Sequence, residues 1–311
     1  MTVAKPQSLS LIDTFSAGYR VINQRLWVIL IPVILTLYLW LGIRLSFAPF
    51  LSNLRDAMQR AVASLTTNSH EQEQLVLAIQ NADMRSRLAL FNFVPILPPE
   101  VLLVNNFPQT SLYVHDLPSV LLAILVINLL ALLLSSLFLA LLAGAAQRET
   151  LHMRTVLWRC MTAARDICGY WLILIGVGLL LGLPFLALSV VLVMALPDTV
   201  MVVSLAWYVV LFWVYVYTGF AIEAILMSRV GPLRAIYNSV NIVRRNLLPT
   251  MALLLLSFVI VAGLNIVWLN LARTNWGLLL ASVANAYIGS GLAATRLVFY
   301  NERLALWHSV S

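Results

Sequence analysis

Six long apolar runs divide the chain. They span about Leu26 to Ala48, Leu117 to Ala146, Tyr170 to Leu196, Thr199 to Met227, Leu248 to Ala272 and Gly277 to Tyr300. The hydrocarbon core of a bilayer is about 30 Å thick and takes about 20 mostly apolar helical residues to cross. Each run meets that length. The pattern predicts an all-α, polytopic transmembrane helical bundle of about six spans, a single membrane domain over residues 1–311. Pro197 and Asp198 separate the third run from the fourth, and Arg273 to Trp276 the fifth from the sixth. The first run begins only at Leu26 and is too long for the core of a cleavable leader, so it reads as a retained span.

The segments ahead of the first, third and fifth runs share a second pattern. In Leu11 to Arg25, Ile12, Phe15, Tyr19 and Ile22 form an apolar stripe, with Asp13, Ser16, Arg20 and Asn23 opposite. In Met153 to Cys168 the stripe is Met153, Val156, Leu157, Cys160, Ala164 and Ile167, facing away from Arg154, Arg159, Thr162 and Asp166. In Leu233 to Asn246 it is Leu233, Ile236, Val240 and Val243, continuing to Leu247, with Arg234, Asn238, Asn241 and Arg245 opposite. Arg-bearing amphipathic helices of this kind lie in the membrane interface with the apolar side toward the acyl chains. The first two lead into Trp27 and Trp171, the usual interfacial anchors. The unit of interfacial helix, span and return span thus occurs three times.

The first copy carries an insertion, residues 49–116. Leu51, Leu54, Met58, Val62 and Leu65 recur at helical spacing, and Ser69 with Gln72 forms a capping box opening a helix to about Leu90. Pro95, Pro98, Pro99 and Pro108 punctuate the remainder, which also holds the apolar run Val101 to Val104. The insertion reads as a helical hairpin plus a strapped-down segment.

Composition fits this picture: 62% of residues are hydrophobic and 10% charged, against about 25% charged in a soluble domain. The net charge of +7 sits in the linkers, which points to the anionic lipids of the inner leaflet rather than to nucleic acid. With the N-terminus inside, thirteen Lys and Arg fall on the inner side and five outside. The positive-inside rule then predicts a cell-membrane protein with both termini cytoplasmic and residues 49–116 outside. Cys160 and Cys168 have no metal-motif spacing and act as small apolar residues.

Glu223 is followed by Gly231, Pro232, Leu233, Arg234, Ala235 and Ile236, then Ser239, then Val243, Arg244, Arg245 and Asn246. This junction resembles the membrane domain associated with bacterial glycerophosphodiester phosphodiesterases and related stand-alone six-span membrane proteins of unknown function. Asn238 stands where that pattern has Arg, and Val240 where it has Trp. The resemblance covers about Gln147 to Arg303 and implies a non-catalytic membrane domain, because in those fusions the chemistry belongs to a separate soluble barrel. Such a barrel needs about 250 residues, far more than the longest polar stretch here.

Candidate chemistry is sparse. His70, His115, His152 and His308 have no metal-binding spacing. There is no nucleophile elbow, phosphate loop or dinucleotide fingerprint. No cofactor or metal is expected. Gly178 and Gly182, and the small-residue stripe Ala281, Asn285, Gly289 and Ala293, suit close helix packing. Pro184 is expected to kink the third span. Glu223 is expected to pair with Arg229. Arg20, Arg25, Arg154, Arg159, Arg234 and Arg245 are expected at lipid headgroups. Asn128, Asn265 and Asn285 fall at similar depths, so they form a candidate polar cluster.

These features favour a non-catalytic membrane scaffold or interaction protein acting on envelope lipids or on a partner protein such as an enzyme. The first alternative is a transporter or lipid translocator with a cleft between repeats. The second is an integral lipid-modifying enzyme, which would need clustered His or carboxylates near the interface.

Overall fold

The computed structural model describes residues 10–47, 49, 50, 52, 85, 88–99, 110–149 and 152–308. The helices expected from Leu51 to Leu65 and from Ser69 onward, the run Val101 to Val104, and His70 lie outside these residues. In chain order the elements are α1 (Leu11–Gln24), a 3-10 turn (Leu26–Ile29), α2 (Leu30–Leu41), β1 (Arg44–Ser46), β2 (Ser111–Tyr113), α3 (Leu117–Ala146) and α4 (Met153–Ala195). There follow α5 (Val200–Thr218), α6 (Ala221–Ser228), α7 (Pro232–Arg245), α8 (Leu247–Leu271) and α9 (Asn275–His308). Among the described residues, five helical stretches are long and apolar enough to cross a membrane. A sixth arises if the bent pair α1–α2 counts as one span.

Proline placement accompanies the separation of two amphipathic segments from the helices that follow them. Proline has no N–H to continue a helical ladder. Pro32 follows α1 closely, and Pro249 follows α7 closely; both segments end before the next helix starts. After Met153 the first proline is Pro184. The second amphipathic segment is therefore not a separate interfacial helix but the opening of α4, which is 43 residues long and continues through Pro184. At 1.5 Å per residue α4 is about 65 Å long, twice the hydrocarbon thickness. The first span is also shorter than expected. α2 stops at Leu41, and residues 44–46 pair in parallel with 111–113.

α1 and α7 turn a different face to the protein from the one their apolar stripes suggest, whereas the opening of α4 buries most of its stripe. α1 buries Thr14, Gly18 and Ile22 and leaves Ile12 80% exposed. The start of α4 buries Val156, Cys160, Ala163, Ala164 and Ile167, with Leu157, Trp158 and Met161 exposed. α7 buries Ala235, Asn238, Ser239, Ile242 and Val243, with Leu233 and Tyr237 exposed. Small and polar side chains dock on protein, where backbones approach closely. Other bulky apolar side chains, Ile12, Leu157, Trp158, Met161 and Leu233 among them, stay outside, where acyl chains would cover them, while Ile22, Ile167 and Ile242 are buried.

Two compact units result. The first comprises Met1–Arg25, Leu139–Val259 and Gly291–Ser311; the second comprises Leu26–Phe138 and Ile260–Ser290. In the first, α7 packs on α4, α5 and α6. α1 meets α9 where Gly18 abuts Thr295 and Gly291 abuts Tyr19. In the second, Leu45, Phe47, Val114 and Val120 form one apolar cluster, and Trp40, Leu97, Ala272, Leu278 and Ala281 another.

Candidate functional site

In the first unit a helix is broken where polar side chains converge. α5 ends at Thr218 and α6 starts at Ala221. At Gly219 an added Cβ would come within 2.8 Å of the Tyr215 carbonyl, so glycine lets the turn close. The break leaves backbone groups without helical partners, and such groups are costly in an apolar setting. Three other helices supply substitutes. Ser239 Oγ of α7 donates to the Tyr217 carbonyl at 2.7 Å and accepts the Phe220 N–H at 3.1 Å. The Tyr170 hydroxyl of α4 donates to the Thr218 carbonyl at 3.4 Å. Arg296 of α9 donates through Nη2 to the Gly219 carbonyl.

The same guanidinium pairs with Glu223, Nε to Oε1, at 2.6 Å. It also lies over the Phe220 ring, which stacks on Phe299. Glu223 is 7% exposed and sits in the first turn of α6, where the helix dipole favours a negative charge. Its Oε2 has no partner among the described residues. Glu223 is thus the counter-ion of Arg296 and not, as expected, of Arg229.

Arg229 belongs to a second set of contacts centred on Glu149. Its Nη2 reaches Glu149 Oε1 at 2.8 Å, and Arg159 pairs with Oε2. Arg25 Nη2 donates to the Glu149 carbonyl at 2.5 Å. Gln147 donates to the Met227 carbonyl at 3.0 Å. The three arginines come from three separate stretches of the chain. Arg25 closes α1, Arg159 lies in α4, and Arg229 precedes α7. Arg25 and Arg159, expected at headgroups, are therefore committed within the protein. Arg20, Arg154 and Arg234 are exposed, and Arg245 stacks over the Trp307 ring at 5.0 Å.

In the second unit the non-helical segment 88–99 lies against α2, α3 and α9. The expected helix to Leu90 does not include residues 88–90. Asn128 accepts the Leu90 N–H and donates to the Leu88 carbonyl, both at 2.9 Å. Ser135 accepts the Phe93 N–H at 2.8 Å, and Thr36 that of Leu97 at 3.3 Å. The Trp40 indole donates to the Leu97 carbonyl at 2.9 Å, and Asn285 to the Pro95 carbonyl at 3.4 Å. Asn128 and Ser135 lie about 16 and 27 Å along α3 from Leu117. Irregular backbone at such depth survives only when buried in protein. The prolines help, because Pro95, Pro98 and Pro99 have no N–H to satisfy.

Asn128 and Asn285 therefore hold one backbone segment and do not bond each other. Asn265 has no hydrogen bond among the described residues. The small stripe on α9 receives this strap: Ala281 packs near Leu97, and a Cβ at Gly289 would fall 2.3 Å from that of Pro95. Arg85, also 7% exposed, donates to the Leu39 carbonyl at 2.7 Å and caps the end of α2. Sequence reasoning missed Thr36, Trp40, Ser135 and Ser239. The available signal was a polar or indole group inside an apolar run, which in a membrane must find a partner.

Among the described residues no three His, Cys, Asp or Glu side chains gather as a metal site. No family model, curated protein or solved structure matches the chain.

Proposed function

We propose that the protein is a non-catalytic integral membrane scaffold of the cell membrane, with cytoplasmic termini, that engages a partner protein or envelope lipids. The supporting observation is the α4–α5 hairpin. In the most apolar stretches of both helices, as in that of α8, only 6% of residues are buried, against 50% in α9. The hairpin closes on itself through Trp207, which meets Phe185 at 4.6 Å and donates to Ser189 at 3.2 Å. Gly182 faces Trp207, but Gly176 and Gly178 face open space. Glycine in a helix costs about 1 kcal/mol relative to alanine, so open glycines suit a surface that another helix covers.

A photo-crosslinking residue at position 178 tests this reading in cells. A discrete protein adduct, lost when the probe moves to the self-packed position 182, is expected. Lipid adducts alone at both positions would sink the partner half of the proposal.

The second reading, a transporter or lipid translocator, is favoured by the helix break at Gly219 beside the spare carboxylate oxygen of Glu223. It requires substrate flux in proteoliposomes that Glu223→Gln abolishes.

A further inference from the structure

The first unit contains a cavity of about 580 Å3, within the usual range for a small-ligand site. Its polar lining is Ser228, Arg234, Tyr237 and Asn238; its apolar wall is Val230, Leu304 and Trp307. Among the described residues no carboxylate lines it. Arg234 has neither an ion pair nor a hydrogen bond among the described residues, whereas Arg25, Arg159, Arg229 and Arg296 are all committed to protein groups. Two of the other polar groups are held in place. The Ser228 hydroxyl lies 2.9 Å from that of Tyr300, and Asn238 also bonds Tyr300. Arg245 stacks over Trp307 and fixes the apolar wall. Leu233 and Tyr237, on the same helix as Arg234, are exposed, and their apolar bodies suit acyl chains.

We propose that this cavity binds a phosphate group, with Arg234 as its counter-charge and Ser228, Tyr237 and Asn238 as hydrogen-bonding partners. Arg recognises phosphate through its planar fork of donors. The wall of Leu304 and Trp307 suits a phosphate carried on a glycerolipid. The inference does not rest on the scaffold reading, since binding is measured on the isolated full chain without a partner.

The test is native mass spectrometry of the detergent-purified protein with dioleoyl phosphatidic acid, dioleoylglycerol or inorganic phosphate. Saturable one-to-one binding of phosphatidic acid over dioleoylglycerol is expected. Arg234→Gln removes charged hydrogen bonds and should weaken binding about tenfold to a hundredfold. Arg244→Gln, about 15 Å further along α7 and outside the cavity, should leave it unchanged. Trp307→Ala should weaken lipid but not inorganic phosphate. Inorganic phosphate displacing the lipid at equal concentration would uphold the phosphate site and assign it to a free ion. Equal binding of dioleoylglycerol, equal losses in Arg234→Gln and Arg244→Gln, or no saturable binding would overturn the proposal.

Discussion

The broken helix of the first unit and the strap of the second face the same difficulty with different chemistry. Each places unpaired backbone groups in apolar surroundings. At the α5–α6 break, a charged group does much of the repair: Arg296 takes the Gly219 carbonyl and is neutralised by Glu223. Along residues 88–97 the ties to α2, α3 and α9 are neutral, from Thr36, Trp40, Asn128, Ser135 and Asn285. A charge makes stronger bonds but must bring its counter-ion. Neutral groups need no counter-ion, so they can be spread singly along a segment. The two regions should therefore fail differently when single ties are cut.

The largest effect is expected at Arg296. Arg296→Met leaves the Glu223 carboxylate buried without its cation. Removing one partner of a buried pair costs about 3–5 kcal/mol. Chemical unfolding in detergent should report that loss, and the double variant Arg296→Met with Glu223→Leu should recover most of it. A single variant as stable as the parent would erase the distinction between the two regions.

The strap should respond more mildly and more locally. Asn128→Leu strips the Leu90 N–H and the Leu88 carbonyl of a partner, at about 1–3 kcal/mol. Asn265→Leu removes no hydrogen bond among the described residues and should stay within about 0.5 kcal/mol. Thermal unfolding of the two variants separates them. Equal effects, with coupling in the double variant, would restore an amide cluster shared by these residues.

The long elements were legible because apolar run length is nearly the whole signal for a span. The run from Leu117 to Ala146 and α3 share both ends. Partnerships were less legible. Glu223 is six residues from Arg229 but its cation is Arg296, on another helix, and sequence separation carries no information about that choice. The amphipathic stripes of α1 and α7 misled for a related reason. A helical wheel sorts residues into two classes, whereas a helix at a membrane surface meets protein, lipid and water. Asn238 was placed on the polar face and is buried, and Ser239, assigned to neither face, is fully buried at the α5–α6 break. The strap was half legible. Its prolines marked an irregular segment, but nothing local marked α9 as the helix that would receive it.

Two glycines put packing in the two units on one scale. Gly289→Ala puts a methyl group against Pro95, and overpacking of this kind costs about 1–3 kcal/mol, partly offset by better helix propensity. Gly178→Ala meets nothing within 4 Å and should stabilise the isolated protein by up to about 1 kcal/mol. Opposite shifts in thermal midpoint are expected. A destabilised Gly178→Ala variant would mean that α4 is packed at that position after all.

The smallest effect is expected at Arg229, where two terms oppose each other. Arg229 has φ 52°, a left-handed conformation that glycine adopts without the steric cost of a Cβ. Replacement by glycine should gain about 1–2 kcal/mol from that relief, less about 0.4–1 kcal/mol for glycine's larger unfolded-state entropy. The same change loses the ion pair to Glu149, in which the Arg229 side chain is 54% exposed. Pairs this exposed contribute about 0–1 kcal/mol. Arg229→Gly should therefore be close to neutral, while Arg229→Ala loses the pair, keeps the strained backbone and should be the less stable of the two. Arg159 is 12% exposed in its own pair with Glu149, so Arg159→Ala should cost more than either. Unfolding midpoints of the three variants, compared in low and high salt, decide the matter. A loss in Arg229→Gly as large as in Arg159→Ala would mean that the Glu149 contacts act as one cooperative network. The exposed arm would then be as necessary as the buried one, and the first unit would depend on surface charge as well as on Arg296.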